Sequence, residues 1–91
     1  MTFEWDEAKN AGNINKHGVS FAIASRIFEE AVVTFRDDRF EYGEEREISI
    51  GQVEGILFLT VVHTDRDGKT RIISARRANG VERKRYEEAT R

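Results

Sequence analysis

The stretch that decides the fold is ILFLTVVHTDRDGKTRIISARR, residues 56–77. Its first part, residues 56–63, is a nearly continuous apolar run, which is typical of a strand that is covered on both faces. Asp67 and Gly68 predict a two-residue hairpin turn. Residues 70–77 then form the returning strand. The stretch therefore predicts an antiparallel β-hairpin.

Further elements are predicted on both sides of this hairpin. Upstream, Ile48 and Ile50 alternate with polar residues as in a strand, and residues 32–35 are rich in β-formers. Downstream, Asn79 and Glu82 have the spacing of a capping box, which predicts a helix to about residue 90. The apolar residues of that helix form no continuous stripe.

Two helices are predicted near the N-terminus, after a short strand at residues 3–5. Asp6 is expected to cap the first helix, which runs to about His17 and ends at Gly18. Ser20 is expected to cap the second helix, residues 20–30. Gly12 and three asparagines weaken the first helix. We therefore expect tertiary contacts to hold it, or its polar residues to serve another purpose.

The element order β-α-α-β-β-β-β-α predicts an α+β fold, with helices packed on one face of an antiparallel sheet. The 91 residues suit one domain, residues 1–91. The absence of cysteine excludes disulfides, zinc–thiolate sites and cysteine nucleophiles. The N-terminal sequence is acidic, and no apolar run approaches the length of a membrane helix. We expect a soluble, cytoplasmic protein.

Charge is distributed unevenly along the chain. Residues 1–45 contain five Lys or Arg and ten Asp or Glu, whereas residues 46–91 contain ten and seven. Between Lys69 and Arg85 there are seven basic residues and one acid, Glu82. This cluster indicates either a basic face for nucleic acid or a solvated surface that pairs with acids elsewhere.

Metal-dependent chemistry has little support in the sequence. The HxDxDG motif at residues 63–68 is spaced like part of a calcium loop. However, the twelfth position counted from Asp65 is Arg76, where such a loop needs Glu. The acidic stretch 37–47 is interleaved with arginines, which favours an ion-paired loop. We expect neither a metal ion nor another cofactor.

Arginine dominates the basic cluster, and its side chain binds phosphate through two parallel hydrogen bonds. In a regular strand Arg76 shares a face with Ile72. Arg71 and Arg77 share the opposite face with Ala75. Arg76 and Arg77 therefore cannot both join one site.

Other residues are candidates for acid–base chemistry or base stacking. Lys16 and His17 end the first helix, where positive charge is favourable in any case. His17 is the better acid–base candidate of the two histidines, because it adjoins a turn. Trp5 is either a core residue or a stacking face for a base. Together with the arginines, these residues suit RNA cleavage by the substrate's own 2′-hydroxyl, which requires proton transfer and cations on the phosphate.

Several motifs together resemble those of one family. They are FEWD at residues 3–6, KHGVSF at 16–21, GExR at 43–46 and RIISAR at 71–76. At these spacings the chain resembles the BrnT toxins. The resemblance implies a RelE-like fold and a type II toxin that arrests growth as an endoribonuclease. It also implies a BrnA-like antitoxin in a hetero-oligomer, with operator DNA bound only through that antitoxin.

Given this resemblance, we expect Arg46 and Arg76 to contact the scissile phosphate and Lys16 or His17 to transfer a proton. Glu82 is expected to act as a base or to orient one. Substrate contacts are expected from Trp5, Arg71, Arg77 and Arg83. Two alternatives stay open: an interaction module that has lost catalysis, and a nucleic-acid-binding protein that does not cleave.

Overall fold

The predicted hairpin forms the middle of a five-stranded sheet. Its turn residues Asp67 and Gly68 both have positive φ, 53° and 79°, as a two-residue hairpin turn requires. The computed structural model describes residues 1–91. Its strands are β1 (Phe3–Glu4), β2 (Val33–Asp37), β3 (Arg46–Val53), β4 (Leu57–Arg66) and β5 (Lys69–Arg77). Its helices are α1 (Glu7–His17), α2 (Phe21–Ser25) and α3 (Gly80–Ala89).

The sheet has the strand order β1-β5-β4-β3-β2. Strands β2 to β5 form the predicted antiparallel meander. The short β1 pairs parallel with β5 instead, because α1 and α2 carry the chain away before β2 begins. The α+β class is therefore confirmed, with a mixed rather than a wholly antiparallel sheet.

The predicted helix caps are present, and the second helix is shorter than expected. Asp6, Ser20 and Asn79 each accept a hydrogen bond from the first turn of their helix. Gly18 ends α1 with φ of 71°. After Ser25 the chain tightens into a 3₁₀ turn, Arg26–Glu29, so only the first half of the predicted second helix is α-helical. None of the helices is both long and apolar enough to cross a membrane.

The helices lie on both faces of the sheet, which corrects the expectation of one covered face. Helices α1 and α2 cover a core of buried residues that includes Phe21, Leu59 and Val61. Helix α3 lies against the opposite face, where the ring of Tyr86 packs edge-on against Phe58, 5.8 Å between centroids. Tyr86 is the one buried residue of α3. The broken apolar stripe of α3 gave no indication of which face it covers.

A β-bulge in β5 corrects the predicted strand faces. Val62 pairs with Ser74 but His63 pairs with Ile72, so Ile73 is an extra residue. Ile72 consequently joins the buried core on the face that also holds Ala75, and does not share a face with Arg76. Past the bulge, Arg76 and Arg77 point to opposite faces as predicted, because the alternation there is regular.

Candidate active site

A cavity of about 480 Å³ lies on the sheet face that α3 partly covers. Thr60 and Arg76, which are partners across β4 and β5, form part of its lining. The C-terminal end of α1 and the first turn of α3 border it from two sides. Four of the residues expected to carry the chemistry meet there, namely Lys16, His17, Arg76 and Glu82.

The first pair in this cavity is Arg76 with Glu82. Both Nη atoms of Arg76 donate to the Glu82 carboxylate, each at 2.8 Å. The Asn79 backbone N–H donates to the same carboxylate at 2.9 Å, which completes the capping box of α3. Burial by itself would raise the pKa of Glu82, but the hydrogen bonds from Arg76 and Asn79 lower it below its usual value. The side chain is thus an ionised carboxylate at neutral pH.

Asn13 places Lys16 and His17 at the cavity. Its side-chain amide donates to the carbonyls of Val19 and Ala75 and accepts from the Ala75 N–H. The bonds to Ala75 satisfy backbone groups on the edge of β5. The short β1 does not extend that far, so no strand pairs with β5 there. Asn13, one of the asparagines that weaken α1 as a helix, therefore attaches it to the sheet, which accounts for the tertiary anchoring expected from the sequence.

Thr60 and Arg39 line the cavity although sequence reasoning did not select them. The Thr60 hydroxyl is buried and lies close enough to the Glu82 carboxylate to help lower its pKa, but it is outside hydrogen-bond geometry with any group of the chain. Arg39 donates through Nε and Nη2 to the two oxygens of Asp37, at 2.7 and 2.9 Å. This guanidinium lowers the pKa of the buried Asp37 carboxyl to about 2. The sequence did indicate an ion-paired loop here, but not that the loop reaches the cavity.

The sequence matches a known protein family over most of its length. A family model described as the ribonuclease toxin BrnT of type II toxin–antitoxin systems matches residues 5–82. The chain belongs to the BrnT family. The resemblance inferred from its motifs is therefore confirmed, and membership implies an RNA target and an antitoxin partner. A search of curated proteins found no match.

A solved BrnT structure has the same fold. The crystal structure of the Brucella abortus ribonuclease toxin BrnT superposes with a TM-score of 0.69 at 27% sequence identity. The match covers 87% of this chain and 97% of the Brucella protein. The family match begins at Trp5 and ends at Glu82, so it includes all the residues that line the cavity.

Five of the predicted site residues of this BrnT protein lie outside the cavity. Arg46 stacks over the ring of Tyr42, 4.0 Å from its centroid, and its Nε donates to Glu44 at 3.1 Å. Trp5 packs edge-on against Phe21 in the core. The other three are Arg71, which pairs with Glu4, Arg77, which borders a separate apolar groove, and Arg83, which lies over Phe58.

Potential metal ligands are dispersed. No group of three or more His, Cys, Asp or Glu side chains is arranged so that it could hold a metal ion. The second histidine, His63, is buried on the α1 and α2 side of the sheet and lies 2.7 Å from the Ser49 hydroxyl. Burial lowers its pKa below the usual value. His63 is thus part of the packed interior, and His17 is the histidine that borders the cavity.

Proposed function

We propose that this BrnT toxin cleaves RNA in the cytoplasm without a metal ion, by attack of a ribose 2′-hydroxyl on the adjacent phosphate. The observation that supports this most is the convergence of Arg76, Glu82, Lys16 and His17 in one cavity. This chemistry needs a base, an acid and a cation for the phosphate. The nucleophile comes from the substrate.

Arg76 is suited to bind the phosphate without giving up Glu82. Its two Nη atoms hold Glu82, and Nη1 also donates to the Arg77 carbonyl at 3.2 Å. The edge formed by Nε and the second Nη2 hydrogen has no protein acceptor. A phosphate bound there would receive two parallel hydrogen bonds. It would also lie beside the Glu82 carboxylate.

In the proposed reaction Glu82 removes the proton from the 2′-hydroxyl as the 2′-oxygen bonds to phosphorus. Arg76 stabilises the negative charge that accumulates on the phosphate oxygens. The bond from phosphorus to the 5′-oxygen breaks, and Lys16 or His17 gives that oxygen a proton. The products are a 2′,3′-cyclic phosphate and a 5′-hydroxyl. The other predicted site residues are left for contacts with more distant parts of the RNA or with other partners. They are Arg46, Arg71, Arg77, Arg83 and Trp5.

The decisive experiment is cleavage by the purified protein in EDTA. We expect the RNA to be cut, with 2′,3′-cyclic phosphate or 3′-phosphate ends, and an oligonucleotide with 2′-deoxyribose at the cut position to stay intact. A requirement for magnesium, or 3′-hydroxyl products, would contradict the proposal. Intact RNA together with salt-sensitive binding would favour an RNA-binding protein that does not cleave.

A modified substrate distinguishes Lys16 from His17. A 5′-thiolate leaves without protonation, so RNA with a bridging 5′-sulfur at the cut site does not need the general acid. We expect either Lys16→Met or His17→Gln to lose activity on ordinary RNA and to recover it on the sulfur substrate. The residue whose loss is rescued is the acid. If neither is rescued, proton donation comes from elsewhere.

The partner follows from the same family. We propose that a BrnA-like antitoxin binds this toxin in a hetero-oligomer and blocks cleavage, and that operator DNA is bound through the antitoxin alone. Co-expression with the antitoxin should restore growth, and the purified complex should leave RNA intact. Binding without inhibition would count against this arrangement.

A further inference from the structure

The loop between β2 and β3, residues 38–45, holds an aromatic side chain out to solvent beside the active-site cavity. Phe40 is 69% exposed, although its neighbour Arg39 lines the cavity. The rings of Phe40 and Tyr42 form a T-shaped pair, at 5.9 Å between centroids and 75° between planes.

Arg39 connects this aromatic to the site of the proposed chemistry. It lines the active-site cavity and also a second cavity of about 250 Å³, which Phe40 and Tyr42 line as well. Asp37 engages its Nε and Nη2, so the guanidinium is held in place. The two cavities are therefore neighbours, and the fixed guanidinium of Arg39 lies between them.

This second cavity is better suited to a base than to a phosphate. Acidic residues line it, including Asp38 and Glu41, and their charge repels the RNA backbone. Carboxylates accept hydrogen bonds from base N–H groups instead. Aromatic rings and guanidinium planes are the surfaces on which unpaired RNA bases stack.

We propose that the second cavity binds the base of a nucleotide that flanks the cleaved phosphate, with Phe40 as its stacking surface and Arg39 between base and phosphate. This inference rests on the proposed ribonuclease activity of the adjoining cavity. It makes the loop 38–45 a determinant of where the RNA is cut. One stack on an aromatic side chain accounts for roughly a fivefold to hundredfold change in affinity.

The test compares Phe40→Ala with Phe40→Trp and with Ile56→Ala. Ile56 is also largely exposed, at 81%, but lies at the far end of β3 in the β3–β4 turn, so its variant is a matched control. We expect Phe40→Ala to raise KM for single-stranded RNA by about fivefold to a hundredfold with little change in kcat, and to lose the flanking-base preference in the cut pattern. Phe40→Trp should keep both, and Ile56→Ala should match the unaltered chain.

Equilibrium binding separates failure of this inference from failure of the proposed activity. A 2′-O-methylated oligonucleotide cannot react through its 2′-oxygen, so its affinity reports binding alone. Weaker binding by Phe40→Ala supports the base subsite even if no RNA is cut by any variant. If Phe40→Ala binds the oligonucleotide and cuts RNA in the same pattern as Ile56→Ala, the base-subsite proposal is overturned. Loss of antitoxin binding with normal RNA binding also overturns it and assigns Phe40 to the protein partner.

Discussion

Arg76 and Arg77 are adjacent in the chain, yet only Arg76 faces the active-site cavity. We expect Arg76→Ala to lower kcat by about a hundredfold to a thousandfold, roughly 3–4 kcal/mol, because one preorganised donor to a developing charge is worth that much. Arg77→Ala is the matched control, since it removes the same charge one residue away, and should leave kcat unchanged. Measured cleavage rates of the two variants check this. Equal activity would move the phosphate-binding role away from Arg76.

Loss of Arg76 should also affect folding slightly. The Glu82 side chain is only 17% exposed, and without Arg76 it keeps the Asn79 N–H but loses its guanidinium partner. Urea unfolding should show a loss of about 1 kcal/mol. This is small enough to keep the variant folded, so the expected loss of activity is not a loss of structure.

Thr60 allows function and stability to be separated at a single residue. Its buried hydroxyl is close to Glu82 but outside hydrogen-bond geometry, so replacing it with the methyl group of Thr60→Val should leave the free energy of unfolding unchanged or raise it. If RNA supplies the missing partner, the cleavage rate should fall about two- to tenfold, the value of one neutral hydrogen bond. Urea unfolding and initial cleavage rates measure the two effects. Clear destabilisation would show that the hydroxyl is paired within the folded chain.

At the scale of elements, α1 is held to the sheet by one amide side chain. Asn13→Ala removes three buried hydrogen bonds and leaves the Ala75 N–H and two carbonyls without partners. We expect the free energy of unfolding to fall by about 2–4 kcal/mol. Cleavage should fall as well, because α1 carries Lys16 and His17. Asn15→Ala, at an exposed position on the same helix, should change neither.

Elements were predictable where the local sequence determines them. The hairpin turn at Asp67 and the caps at Asp6 and Asn79 are recognisable because each depends on residues within a few positions of one another. The bulge at Ile73 and the face that α3 covers depend on pairing between distant segments. No periodicity along the chain contains that information, so the predicted shared face of Arg76 and Ile72 and the single covered face of the sheet were wrong.

The candidate site was predictable in part for the same reason. Arg76 and Glu82 are six residues apart, across a strand end and a helix start, so their meeting follows from local structure. Lys16 and His17 are about sixty residues away, and they were selected from their place at the end of a helix and then from the family resemblance. Arg39 reaches the cavity only because β2 lies at the sheet edge and its following loop turns inward. That placement is a property of the whole fold.

At the scale of the whole molecule, the basic surface of α3 is the expected target of the antitoxin. Arg83 and Arg85 lie over Phe58 and Phe35, and Lys84 is exposed beside them. Tyr86 alone is buried, so α3 has little apolar contact with the rest of the chain. An acidic, partly disordered segment would be attracted to these charges and would stabilise the helix on binding.

We therefore expect the antitoxin to cover Arg76 and Arg83 and to slow hydrogen exchange across residues 79–91. The association rate should fall as salt rises, because the attraction between opposite charges is screened. Hydrogen exchange with and without the antitoxin, and a variant with Arg83, Lys84 and Arg85 replaced by Gln, provide the measurements. Unchanged protection of α3, together with full inhibition of that variant, would place the antitoxin elsewhere. The apolar groove beside Arg77, with Ile14 and Ile23 in its wall, would then be the surface to examine, since it lies on the other side of the sheet from α3.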